Sequence, residues 1–477
     1  MNNKSYKKPL IVVTGLFFMW GFITSMNDIL IPYLKKVFEL NYFEAMLVQF
    51  AFFGAYFIGS VIYFIISASK GDPIMKIGYK NGIIAGLLVS AVGLLLFYPA
   101  ASMKIYGIFL SALFILGLGF TLLQIAANPY VARLGSDETA SSRLNLSQAF
   151  NSFGTTIAPV IGGYFVFHYF IKWGKPFLNS LGEPIKLNSG EAISAYGVQL
   201  PYLIFAAVFV LMAIIIKLTD LPSLNIEHEL PKGSGALRYK QLVFGMIAIF
   251  MYVGAEVSIG SILINYMNEK LAIAEMQAKS FLAFYWGGAM IGRFLGAISM
   301  SEMKNMVKKY SMMIGLSLLV FVVIYLVVWT ESNFTFKLSS VLPFLIFIGI
   351  NLFAFLFGKS LPAKTLMIFA LVNVILLVIA LNTSGQVALW SLLSMGLFNS
   401  IMWSNIFTLA IDGLGKYTSQ GSSLLVMMIL GGAIIPLIQG ATADNFGVQI
   451  SFIVPIVSYI YLTYYGWKGY KKGKWKD

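Results

Sequence analysis

The chain has 477 residues, 58% of them hydrophobic and only 11% charged, with a mean hydropathy of +0.82. Soluble domains carry roughly 25% charged residues, so this is an integral membrane protein, and its long apolar runs point to helical spans rather than alternating barrel strands. The absence of cysteine excludes disulfides and thiolate metal sites, and the net charge of +14 sits in short lysine-bearing loops, as membrane topology rather than a nucleic-acid partner requires.

The basic start "MNNKSYKKPL" precedes an apolar run too long for a signal peptide, with no small-residue cleavage site after it, and reads as a retained first helix. Apolar segments of spanning length follow at about 9–34, 43–68, 80–99, 104–132, 143–170, 196–218, 239–267, 273–300, 304–330, 341–358, 364–381, 386–411, 418–440 and 447–467. That gives about fourteen spans, of which 341–358 barely reaches the ~18-residue minimum. With the N-terminus inside, the alternation puts "SKGDPIMKIGYKNG", "ARLGSDETASSR", "SEMKNMVKKY", "GKSLPAK" and the tail "KGYKKGKWKD" on the same side. Most basic residues then lie inside, so both termini are expected in the cytoplasm of a bacterium, the protein being a multi-pass one of its inner membrane.

Residues 171–195 form a polar external excursion. Residues 219–238 form a polar, Pro- and Gly-punctuated cytoplasmic linker, dividing the chain into a bundle over 1–218 and a second over 239–477. An internal repeat supports this division. Asn128, Gly154, Pro159 and Gly163 recur as Asn405, Gly431, Pro436 and Gly440, each offset by 277 residues without a gap. Parallel repeats related by an axis along the membrane normal are a transporter architecture. The repeated glycines and prolines are expected to serve backbone approach and bending rather than ligand contact.

Four segments carry polar groups at membrane depth. The first holds Thr24, Ser25, Asn27 and Asp28, the fourth Gln124 and Asn128, and the fifth Asn145, Gln148, Asn151 and Ser152 on one helix face. The seventh holds Glu256, followed by Ser258, Ser261 and Asn265. Buried hydroxyls and amides often only join helices, at about 0.6 kcal/mol each, but three long amides on one face exceed that need. Amides beside aromatic faces suit a neutral polyol, with Trp20, Tyr252, Trp286 and Trp403 as candidate platforms and Asn399 as a further contact in the 386–411 segment. Arg293, near the cytoplasmic end of its span, reads as a structural or gate residue.

A carboxylate at a helix centre costs about 2.5–3.5 kcal/mol on insertion scales, so Asp28 and Glu256 are expected to be coupling groups. Asp28 could take a proton, its pKa raised by burial. Alternatively Asp28, Thr24 and Asn27 could offer Na+ hard oxygen ligands. No basic residue is expected at the depth of Asp28. His168 and His228 lie at or beyond span ends, outside any zinc or triad pattern.

The motifs "NDILIPYL", "AANPY", "RLNLSQAFNSFG" and "YVGAEVS" resemble the fucose and glucose/galactose permeases of the major facilitator superfamily, and the glucose/galactose branch in particular. The resemblance covers nearly the whole chain. It implies an all-α membrane fold of two six-helix bundles that rock about a central sugar site, with hexose uptake coupled to Na+ or H+ and no other cofactor. The fucose branch carries an acid where this chain has Gln124, and an amide where it has Glu256. The family's twelve spans imply that residues about 304–358 are an inserted transmembrane hairpin. A monomer in contact with lipid and a small sugar is expected. Competing readings are a proton-coupled exporter of amphipathic compounds, and a membrane-embedded glycosyl-transfer enzyme using acids such as Glu183 and Glu191 in the 171–195 loop.

Overall fold

The structure, a computed structural model, describes residues 6–40, 42–179, 182–186, 191–222 and 232–475; within the helices, the side chains of Asn27, Asp28 and His168 lie outside the described set, as does all of His228. Fourteen long helical elements run through it. The first six are α1 (Lys7–Val37), α2 (Tyr42–Lys70), α3 (Tyr79–Met103), α4 (Tyr106–Ala132), α5 (Ala140–Tyr164) and α6 (Tyr196–Leu218). They are followed by α7 (Lys240–Leu271), α8 (Glu275–Ser299), α9 (Met306–Glu331), α10 (Pro343–Gly358) and α11 (Pro362–Asn382). The last three are α12 (Gly385–Ile411), α13 (Gly415–Phe446) and α14 (Ile450–Gly469).

Among the described residues twelve helices are long and apolar enough to cross a membrane. The other two fall short for different reasons. At 25 residues α5 is long enough, but Asn145, Ser147, Gln148, Asn151, Ser152, Thr155 and Thr156 make it too polar. At 16 residues α10 is apolar but only about 24 Å long, against a hydrocarbon core of about 30 Å.

Packing follows the repeat. The contact of α1 with α5 is matched by that of α7 with α13, α2 with α4 by α8 with α12, and α3 with α6 by α11 with α14. Glycines make the closest of these approaches. A side chain at Gly154 would run into the Phe18 carbonyl of α1, and one at its repeat mate Gly431 into the Phe250 carbonyl of α7. Small residues at such crossings let backbones come together, which is how helices gain packing energy in lipid. Gly163 and Gly440 differ from the expectation, because each faces open space.

The structure also brings out a second repeat. Gly21, Ser25, Ile29, Leu30, Ile31 and Tyr33 of α1 recur as Gly254, Ser258, Ile262, Leu263, Ile264 and Tyr266 of α7, offset by 233 residues. The two offsets, 277 less 233, differ by 44 residues, and the extra chain falls between α8 and α11, where α9 and α10 pack on α8, α11 and α12.

Candidate functional site

Contacts between the two bundles gather at the end that carries the start of α1. There Ser141 and Thr408 share a hydrogen bond of 2.6 Å, Asn145 Nδ2 donates to Asn405 Oδ1 at 3.2 Å, and Ser136 Oγ donates to Glu302 at 3.1 Å. Gln420 Nε2 donates to Ser67 Oγ at 3.3 Å. Ser67 in turn helps hold Asp72, whose carboxylate accepts from Tyr63 Oη at 2.7 Å and caps the one-turn helix Pro73–Ile77 through the Met75 N–H.

Deeper in the molecule Arg293 crosses from α8 to α5. Helix α12 is interrupted at Ser400 and Ile401, so the Ser400 carbonyl is free of the helical ladder and accepts from Arg293 Nε at 3.2 Å. Arg293 Nη1 donates to Ser152 Oγ and, at 3.5 Å, to the Gln148 carbonyl. Glu256 has Arg293 and Tyr252 as its electrostatic neighbours. Arg293 therefore points inward between the bundles rather than out to the headgroups, and a cation does lie at the depth of Glu256. Residue counting along a span gives depth but not which partners a side chain meets, so the bridge from α8 to α5 was not legible in the sequence.

Several anticipated contacts are buried in the bundles. Gln124 and Trp20 flank the Tyr56 hydroxyl inside the first bundle, all three buried. Gln148 is buried at the level of Arg293, and Tyr252 Oη and Trp403 Nε1 are buried without a hydrogen-bond partner. Asn128 is fully buried, with neither amide atom partnered. Unused hydrogen-bonding capacity of this kind is uncommon in folded interiors and calls for a role. Trp286 is half-exposed on α8, against Gly260 of α7.

Other anticipated contacts are held by the protein itself. Asn399 donates to Tyr285 Oη at 2.9 Å and accepts from Tyr459 Oη at 2.7 Å and Asn373 at 2.8 Å, while Tyr285 Oη donates to the Glu256 carbonyl. This network ties α7, α8, α11, α12 and α14 together behind the site and engages both lone pairs of the Asn399 oxygen and one of its two amide hydrogens. Asn151 Nδ2 donates to the Phe17 carbonyl at 3.0 Å, stitching α5 to α1, and Thr24 Oγ1 donates to the Trp20 carbonyl of its own helix. Asn145 is engaged through Nδ2 to Asn405, with its Oδ1 unpartnered. Asn265 lies nine residues beyond Glu256, two and a half helical turns, and so on the opposite face, exposed near the far end of α7. Asp28 and Asn27 belong to α1, and as coupling and ligand groups they fall outside the described side chains.

The family description Major Facilitator Superfamily matches residues 13–363. The chain is 42% identical over 477 residues to the glucose/galactose transporter of Brucella abortus (strain 2308), covering 98% of this chain and 96% of that one. It is 32% identical to the L-fucose-proton symporter of Escherichia coli (strain K12), covering 93% and 89%. The crystal structure of the transporter FucP in the outward conformation superposes with a TM-score of 0.74 at 29% identity, covering 98% of this chain and 99% of that one. A helical membrane architecture with a doubled packing pattern, matched along nearly its full length by transporters of this family, makes this chain a member of the major facilitator superfamily.

Proposed function

We propose that the chain is a cation-coupled symporter that imports a neutral hexose such as glucose or galactose by alternating access. The observation that carries this reading is the polar interior: Asn128, Asn145, Tyr252 and Trp403 keep unused hydrogen-bonding capacity, and the charges of Glu256 and Arg293 offset one another. Such a lining offers donors and acceptors to a neutral polyol and little net charge to an ion. Kinship with a glucose/galactose transporter and with L-fucose-proton symporters supports the same cargo class.

In this reading Gln148, Gln124, Tyr252 and Trp403 contact the sugar, with Asn128 and Trp286 nearer the edge of the pathway. Asp28 and Glu256 carry the coupling, by Na+ or H+. The end held together by Asn145–Asn405 and Ser141–Thr408 is the cytoplasmic gate, so the structure corresponds to the state closed toward the cytoplasm. Residues 1–218 and 239–477 are the moving halves, 219–238 the linker, and about 304–358 a peripheral inserted hairpin. Both termini are cytoplasmic, and the working unit is a monomer in a bacterial inner membrane.

Binding of unlabelled hexoses to the purified protein, followed by tryptophan fluorescence, tests the cargo. Glucose or galactose should quench saturably in the wild type and much less in Gln148→Ala. Equal responses to both proteins would remove Gln148 from the site, and no response to any hexose would remove the sugar.

A further inference from the structure

A cavity of about 310 Å³ opens between α7 and α13 at the end opposite the gate, on the face of α7 turned away from Glu256. Ser258, Ser261, Asn265 and Glu269 line it from α7, and Gln439 and Asp444 from α13. No lysine, arginine or histidine is among its lining residues.

The polar groups facing this cavity are almost all acceptors. Ser258 Oγ donates its hydrogen to the Ala255 carbonyl at 3.2 Å, and Ser261 Oγ to the Val257 carbonyl at 2.8 Å, so both hydroxyls keep only lone pairs for a ligand. Gln439 is buried, at 1% exposure, and its Nε2 is committed to Ser451 Oγ at 3.3 Å. Its Oε1 has no partner. A buried carbonyl oxygen left in this way is costly unless a ligand fills its place. Glu269 and Asp444 add carboxylates at the mouth. There α7 ends at Leu271 and α13 at Phe446, so both helix dipoles present their negative ends.

Hydroxyl, amide and carboxylate oxygens without a competing cation are the ligand set of a hard cation. Under the 233-residue repeat, Ser261 stands where α1 has Asp28, and Ser258 where it has Ser25. We infer that the α7–α13 seam is a site for a free monovalent cation, Na+, held by Ser258, Ser261, Asn265 and Gln439 and drawn in by Glu269 and Asp444. The cation's role in transport rests on the coupled-symport reading above, but its binding does not.

The test is ²²Na+ binding to the purified protein in a choline buffer, with size exclusion verifying the fold. The wild type should bind saturably, and Ser261→Ala combined with Gln439→Leu should weaken binding at least tenfold. The single exposed-site variant Ser261→Ala, which disturbs no buried packing, should lose most of the Na+-induced rise in melting temperature. A wild type that binds no Na+, or variants that bind and melt like it, would overturn the site. Hexose accumulation under a proton gradient without Na+ binding would refute the seam alone. Intact Na+ binding with no hexose accumulation under any gradient would refute the transport reading alone.

Discussion

Asn145 of α5 donates to Asn405 of α12 across 3.2 Å, and Asn405 is the repeat mate of Asn128, which is buried with no partner at all. The two halves thus use the same asparagine differently, one to bind the opposite bundle and the other held in reserve inside α4. Removing the formed contact should loosen the gate. A hydrogen bond of this kind is worth about 1 kcal/mol net, so Asn145→Ala should shift the gate equilibrium about fivefold toward opening. The chain has no native cysteine, and Ser404 is fully buried beside this contact. Alkylation of Ser404→Cys should therefore speed up about fivefold in the Asn145→Ala background, and an unchanged rate would mean that the contact does not hold the gate.

Arg293 joins the Ser400 carbonyl, Ser152 and the neighbourhood of Glu256 with one planar fork. Hydrogen bonds of charged groups contribute about 1.5–3 kcal/mol, so Arg293→Gln should lower the rate of sugar exchange at least tenfold. Lysine cannot reproduce the fork, and Arg293→Lys should recover little of it. Exchange rates measured in proteoliposomes decide this, and a fully active lysine variant would reduce Arg293 to a point charge.

The glycine crossings make a graded prediction. Gly154→Leu or Gly431→Leu forces α1 from α5, or α7 from α13, at a cost of at least about 1–3 kcal/mol. Transport rate should fall more than equilibrium sugar affinity. Gly163→Ala and Gly440→Ala, at open positions, should change stability by less than about 0.5 kcal/mol. Thermal melting together with sugar binding separates the two classes, and equal losses at all four positions would deny the packing role.

Much of this was legible in the sequence, and the exceptions share a cause. The helices could be found because apolar runs of spanning length are a one-dimensional signal, and the segment 143–170 was placed among them although α5 carries a row of amides and hydroxyls. The second repeat went unseen because 44 extra residues separate its copies' partners, so one offset cannot register both matches. The cross-helix partners of Asn399, Asn151 and Arg293 could not be read from the sequence because they lie on other helices: Tyr285 and Tyr459, the Phe17 carbonyl, and Ser152. An amide that binds a ligand and one that binds a neighbouring helix look alike until the neighbour is known.

Coupling should be separable from sugar handling. Asp28→Asn and Glu256→Gln should each abolish concentrative uptake while sugar-for-sugar exchange survives, because exchange needs no net movement of the cation. Accumulation and exchange measured on the same proteoliposomes test this, and full accumulation by either variant would remove that carboxylate from the coupling step.

In the proposed cycle a cation gradient drives a neutral hexose inward. Radiolabelled glucose and galactose uptake into proteoliposomes, with Na+ and H+ gradients imposed separately and then collapsed by ionophores, tests it most directly. Hexose should accumulate above equilibrium under one of the two gradients and be lost on its collapse. Uptake that never exceeds equilibrium under either gradient, or no hexose uptake at all, would contradict it.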